Sequence, residues 1–226
     1  MLKAVIFDFD GVITDSEILH LRAFNKVLAQ LDIEISTKDY YKEYLGLTDA
    51  DCFKSVAKKN RLKLDCRNMR NLMAQKTQIF EQLAKTEGRI IEGVPDFLQM
   101  LRRNNVPMAI CSGALLPEIE IILEEARLRE LFAVVVSAEQ VKKGKPSPQG
   151  LLLALQKLNH NRQISIAAKE CIVIEDSHWG LQAAKAAGMH AVAVTNSYDA
   201  DQLSLAEKIV ARLDELSIEE LQQLCV

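Results

Sequence analysis

The chain has 226 residues, enough to bury a substantial core as one large domain or a main domain plus a smaller one. Hydrophobic residues make up 49% and charged residues 26%, proportions of an ordinary globular protein that exclude a disordered tail, a fibre and a membrane span. A net charge of −3 with both signs interspersed gives no field for DNA, RNA or an anionic lipid surface, so a small, locally charged substrate fits better.

The first apolar run, residues 4–7, meets an acid at Asp8, too soon for a signal peptide. No later run has the length of a membrane span. The five cysteines, Cys52, Cys66, Cys111, Cys171 and Cys225, are far apart and form no C-x-x-C pair, which points to a reducing, cytoplasmic setting without a zinc site or disulfide framework. Residues 4–7 read as a buried strand, and the branched apolar runs at 107–111, 133–136, 171–174 and 191–194 repeat the signal. Between them lie amphipathic stretches at helical spacing, such as Val94, Phe97, Leu98 and Leu101, then Leu116, Ile119, Ile122 and Leu123. Strand alternating with helix predicts an α/β fold with a doubly wound parallel sheet.

Residues 14–88 break the alternation, because they carry helical periodicity and no convincing strand. Ile18, Leu21, Phe24, Val27 and Leu28 make one apolar stripe. Met69, Leu72, Met73, Lys76, Phe80 and Leu83 make another, with Lys76 its single polar member. The segment reads as a small α-helical domain inserted into a core of residues 1–13 and 89–226. Gly11 on one side, and Gly88, Gly93 and Pro95 on the other, supply punctuation where two linkers could hinge.

The polar residues that interrupt the apolar runs fall at the carboxyl ends of the predicted strands. Asp8 and Asp10 close the first, Ser112 and Gly113 follow the second, Lys145 lies beyond the third, and Glu175 and Asp176 end the fourth. Each has an ordinary reading alone: a turn, a helix N-cap, a solvated lysine, a second cap. Open parallel sheets bind ligands at that edge, however, so the four sets should converge. Phosphoryl transfer needs this combination of residue types. Asp8, Asp176 and Glu175 are the available ligands for a hard cation such as Mg²⁺, and Lys145, Ser112 and the amides after it suit the charge of a transferring phosphoryl group. Asp10 is placed to protonate a leaving oxygen and activate water.

Asp8-Phe9-Asp10-Gly11-Val12, Ser112-Gly113, Lys143-Gly144-Lys145-Pro146 and Glu175-Asp176-Ser177 with Gly180 together resemble the haloacid dehalogenase superfamily, in the branch similar to β-phosphoglucomutase and sugar-phosphate phosphatases. The resemblance covers nearly the whole chain and implies a Rossmann-like core with a helical cap. It implies that Asp8 forms an aspartyl-phosphate while Asp10 serves as general acid and then base. Mg²⁺ would touch the Asp8 carboxylate, the Asp10 carbonyl and Asp176, with Glu175 bound directly or through water. Ser112, Gly113 and Lys145 would hold the phosphate, and Glu17 and His20 resemble cap residues that face the substrate.

One departure concerns the cap loop from Tyr44 through Gly46 to Asp49. Related mutases carry a lysine before this glycine and a basic residue shortly after, where this chain has Leu45 and Asp49. Fewer cations weaken the hold on a second phosphate. The expected activity is therefore hydrolysis of a small phosphorylated metabolite by a monomeric enzyme with no nucleic-acid or membrane partner. A hexose-phosphate mutase, with Lys42 or Lys54 as substitute cation, is the alternative. A non-catalytic receiver-like phosphoacceptor is the alternative of another class, disfavoured because there the acidic pair ends the first strand and the acceptor a later one. Dehalogenation fits less well, since Asp10 and Glu175-Asp176 suit a metal which that chemistry does not need.

Overall fold

The structure is a computed structural model that describes residues 1–45, 47–160 and 165–225, so Gly46 lies outside the described residues. It divides into two compact units, Met1–Asp15 with Arg89–Val226, and Ser16–Gly88. In chain order the helices are α1 (Glu17–Leu28), α2 (Thr37–Asp39), α3 (Asp49–Lys59), α4 (Cys66–Glu87), α5 (Val94–Arg103), α6 (Leu116–Glu125), α7 (Gln149–Asn159), α8 (His178–Ala186) and α9 (Ile218–Leu224).

The first unit is built on β1 (Ala4–Phe7), β2 (Met108–Cys111), β3 (Phe132–Val136), β4 (Cys171–Glu175), β5 (His190–Val194) and β6 (Lys208–Val210). All pairings are parallel, in the order β3-β2-β1-β4-β5-β6. The chain winds outward from β1 through β2 and β3, returns to lay β4 against the other side of β1, and continues to β5 and β6. The order therefore reverses beside β1, and a crevice opens at the carboxyl ends of β1 and β4. Side chains alternate across the pleat. Ala4 and Ile6 join the cluster formed with Leu151, Ala154 and Leu158 of α7 and Leu181, Ala183 and Ala184 of α8. Phe7 points the other way, edge-on to Phe97 of α5 at 6.0 Å and to Phe132 at 5.8 Å. Burying a phenyl ring of this kind contributes about 1.5–3 kcal/mol.

Five strands lie where the apolar runs predict them. β6 does not announce itself, because it has only three residues, pairs with β5 alone and keeps Lys208 and Ile209 partly exposed. Thr14 and Ile90 form an antiparallel bridge, the Thr14 hydroxyl donates to the Arg89 carbonyl at 2.8 Å, and Ile91 N–H donates to Ile13 O at 3.0 Å. The two chain passes are thus tied to each other within the first unit.

In the second unit α1 and α3 both pack on α4. Leu21, Phe24, Val27 and Leu28 of α1 meet Cys52, Phe53 and Val56 of α3 and Leu72 of α4, with Tyr40 and Tyr44 from the π-helical turn Tyr40–Tyr44. Thr48 and Asp65 cap α3 and α4 by accepting from Asp51 N and Asn68 N. Ile18, assigned to the inner stripe from spacing, is 39% exposed, whereas Leu19 is buried. Around the α1 axis Ile18 lies roughly 110° from the mean direction of Leu21, Phe24, Val27 and Leu28, so its side chain falls outside that face.

Candidate active site

Asp8 directly follows β1, and its N–H donates to Ile174 O at 2.9 Å, which continues the β1–β4 ladder one residue beyond the strand. Its carboxylate therefore projects into the crevice beside Glu175 and Asp176. One ligand oxygen from each of Asp8, Glu175 and Asp176 lies within 4.8 Å of the other two. Lys145, from the loop before α7, reaches both sides of the crevice: its Nζ lies 2.7 Å from Asp8 Oδ1 and 2.5 Å from Glu175 Oε1.

Glu175 is fully buried. Its Oε1 accepts from Lys145, and its Oε2 accepts from Asp176 N at 3.1 Å, Ser177 N at 3.1 Å and Ser177 Oγ at 2.9 Å. A buried carboxylate tolerates burial only when satisfied in this way. Helix α8 is capped by Ser177, whose hydroxyl accepts from Gly180 N, so Glu175 and Asp176 are not its cap residues. Gly180 has a local reason: a Cβ there would overlap the Glu175 carboxylate. Gly11, at φ 75°, has another, since its Cβ would collide with the carboxylate of Asp176.

Ser112, 6% exposed, accepts from Ala114 N at 2.9 Å and points its hydroxyl toward Asp10 Oδ2 at 3.4 Å. It does not cap α6, which begins after Leu115. Gly113 is exposed, with open space where a Cβ would stand. Cys111 lies close by, and burial pushes its thiol up to about 12, so it stays protonated.

Burial raises the Asp8 carboxyl to about 7; the Lys145 charge works against that rise, and Glu175 and Asp10 add to it. Asp176 is raised well above the usual carboxylate range by burial, then by Glu175 and Asp8. For Lys145 burial acts downward, but Asp8 and Glu175 outweigh it and hold the ammonium firmly protonated. Three carboxylates thus crowd one ammonium in a poorly solvated crevice. The surplus of negative charge and the all-oxygen donor set fit a hard divalent cation. Asp8, Glu175 and Asp176 each offer an oxygen to it, and Glu175 also anchors Lys145.

Glu17 and His20 lie in the second unit, in α1. Tyr40 Oη donates to Glu17 Oε2 at 2.8 Å. His20 stacks on Phe80 at 4.1 Å, and its Nδ1 lies 2.8 Å from Nζ of Lys76. Lys76 is 0% exposed, with its ammonium 2.9 Å from Asp49 Oδ1 and over the rings of Phe24 and Phe80. An ammonium can only donate, so His20 Nδ1 is the acceptor and Nε2 carries the ring proton. Burial and then Lys76 lower the His20 pKa well below its ordinary value, keeping the ring neutral. Sequence reasoning missed the Asp49–Lys76 pair, although a lone lysine in an apolar stripe was its signal. In the turn after β5, Asn196 Nδ2 donates to Gly11 O at 2.7 Å, a contact that carries no such signal.

Among the described residues, no helix is long and apolar enough to cross a membrane. The model of the haloacid dehalogenase-like hydrolases matches residues 5–194. The chain is 29% identical over 194 residues to the phosphorylated carbohydrates phosphatase of Thermotoga maritima, covering 84% of each, and 27% identical to the β-phosphoglucomutase of Bacillus subtilis, covering 98% of this chain and 95% of the other. The crystal structure of CbbY from Rhodobacter sphaeroides in complex with phosphate superposes with a TM-score of 0.88 at 24% identity, covering 98% of this chain and all of that one, a likeness of fold. With a match from the first strand to the fifth, and with the acidic crevice at the point where the strand order reverses, the chain belongs to the haloacid dehalogenase-like hydrolases.

Proposed function

We propose that this protein is a Mg²⁺-dependent phosphatase that hydrolyses a small phosphomonoester, a sugar phosphate, through an aspartyl-phosphate on Asp8. The observation that carries the reading is the meeting of Asp8, Glu175 and Asp176 with Lys145 at the switch point of the sheet. Relatives named as phosphatases of phosphorylated carbohydrates and of fructose 1-phosphate support the substrate class.

In this mechanism an Asp8 oxygen attacks phosphorus as the ester P–O bond breaks, and Asp10 gives its proton to the departing sugar oxygen. Asp10 then takes a proton from water, whose oxygen attacks the phosphorus of the acyl phosphate, freeing inorganic phosphate and the Asp8 carboxylate. Lys145 offsets charge on the phosphoryl oxygens, with Ser112 and the Gly113 amide as further donors. Asp8, Asp176 and the Asp10 carbonyl would hold Mg²⁺, which would supply the positive charge that lets a carboxylate approach a phosphate anion. Glu175 holds Lys145 and would bind the metal directly or through water. In the second unit, Glu17 and His20 of α1 are the proposed substrate-facing residues, as the resemblance implies.

Hydrolysis is preferred over mutase chemistry because the buried cation of the cap, Lys76, is already paired with Asp49. The test is phosphate release from a panel of sugar phosphates with Mg²⁺ or a chelator. Release that requires Mg²⁺ and disappears in Asp8→Asn is the expected result. Full activity in Asp8→Asn removes the nucleophile, and conversion of a hexose 1-phosphate to its 6-phosphate faster than phosphate release moves the reading to the mutase.

A further inference from the structure

We propose that the turn after β5 is part of the catalytic machinery, with Ser197 a positioning residue for Asp176 and Asn196 a positioning residue for the loop that carries Asp8 and Asp10. The proposal rests on the reading of Asp8 and Asp176 as the centre of a metal-dependent site. β5 lies next to β4, so the turn that leaves it emerges at the same sheet edge as Asp176. From there Asn196 Nδ2 donates to Gly11 O at 2.7 Å, across 185 residues of sequence. The neighbouring Ser197 brings its hydroxyl beside the Asp176 carboxylate: Asp176 Oδ2 and Ser197 Oγ lie 1.8 Å and 2.8 Å from the one position a Cβ on Gly11 would take. There the hydroxyl acts on the carboxylate as a hydrogen-bond donor.

These contacts close a ring of three chain segments. Gly11, lacking a side chain, lets Asp176 pass close to the nucleophile loop; Ser197 fixes Asp176 from the side; Asn196 anchors the Gly11 carbonyl and with it the turn after Asp10. The ring has a task because Asp176 sits 4% exposed beside Glu175 and Asp8, whose charges repel it. Left alone, its carboxylate would rotate away from them. A hydroxyl donates one proton to one carboxylate oxygen, so Ser197 holds that rotation and leaves the other lone pairs directed at the crevice. Partners behind a metal ligand typically carry about 10–100-fold of the metal affinity.

The test uses metal-free protein titrated with Mg²⁺ by calorimetry, alongside kinetics. Ser197→Ala is expected to weaken Mg²⁺ binding about 10–100-fold. Ser197→Thr, which restores a hydroxyl, is expected to recover most of it, and Ser197→Cys, a weak donor, to fall between. In an Asp176→Asn background Ser197→Ala should add little, because the residue acts through Asp176. Asn196→Ala should lower kcat about tenfold with KM little changed. Folded Ser197→Ala that binds Mg²⁺ like the wild type, or an equal loss in the Asp176→Asn background, overturns the Ser197 role while the phosphatase reading stands. A wild-type protein that binds no Mg²⁺ but is folded overturns both. Should Ser197→Ala fail to fold, the Ser197→Cys and Ser197→Thr titrations decide by the same criteria.

Discussion

Replacing Gly180 by alanine sets two effects of opposite sign against each other. Gly180 stands in the first turn of α8, where alanine is favoured over glycine by about 1 kcal/mol on helix propensity. The added Cβ, however, occupies the space of the Glu175 carboxylate. Glu175 would have to leave a site where it is 0% exposed, giving up two amide donors, a hydroxyl and the Lys145 ammonium. Breaking a buried charge pair of this kind costs about 3–5 kcal/mol, so the second effect wins and Gly180→Ala is expected to destabilise the first unit by about 2–4 kcal/mol. Phosphatase activity should fall with it, since Lys145 loses its second anchor. The chain's single tryptophan, Trp179, is the neighbouring residue, so its fluorescence during urea unfolding reports on this region directly. With Glu175→Ala already present the collision disappears, and adding Gly180→Ala should then stabilise by up to about 1 kcal/mol. A Gly180→Ala protein that is as stable and active as the wild type, or a cycle in which the sign does not reverse, would refute the wedging of Glu175 beneath α8.

Protonation offers a second check. Asp8 has a folded pKa raised to about 7 against 3.8, so the metal-free folded state binds more protons than the unfolded one between those values. Stability of the chelated first unit should therefore fall as pH rises from about 4 to 7, and added Mg²⁺ should raise the melting temperature more at pH 8 than at pH 5. His20 has the opposite sign: its folded pKa lies well below 6.5, the unfolded state binds the extra proton, and stability falls as pH drops below 6.5, by at most about 1.4 kcal/mol per pH unit. Hydrogen exchange of α1 and α4 measures this, and the slope should flatten in His20→Gln. Lys76→Met leaves Asp49 without its ion pair and should cost about 3–5 kcal/mol in the second unit, whereas adding Asp49→Asn should restore much of it. Denaturation of the single and double variants decides; equal losses in both would show that the pair is not what Lys76 contributes.

The sequence made the sheet legible because each central strand is buried on both faces, which leaves a continuous apolar run such as Ala4 to Phe7. β6 escaped for the converse reason, as a half-exposed edge needs no such run. The same contrast separates the site residues. Asp8, Glu175 and Asp176 stand out because acids interrupt apolar strands, and Lys76 stands out because an ammonium interrupts an apolar helix face. Asn196 and Ser197 sit in a polar turn where polar residues are ordinary, and only a contact to Gly11 across 185 positions distinguishes them. Partnership, unlike burial, leaves no local trace. It follows that the residues most visible in the sequence are those that carry charge into the interior, while those that aim the charge are found only from geometry. Gly11 stands between the two classes: the sequence offers it as a hinge, and the structure uses its missing side chain to bring Asp176 and Ser197 against the loop of Asp8 and Asp10. On that argument a single methyl group at Gly11 should damage Mg²⁺ binding more than activity-neutral linker changes at Gly88, and calorimetric titration of Gly11→Ala beside Gly88→Ala would show it; equal affinities would return Gly11 to the role of a hinge.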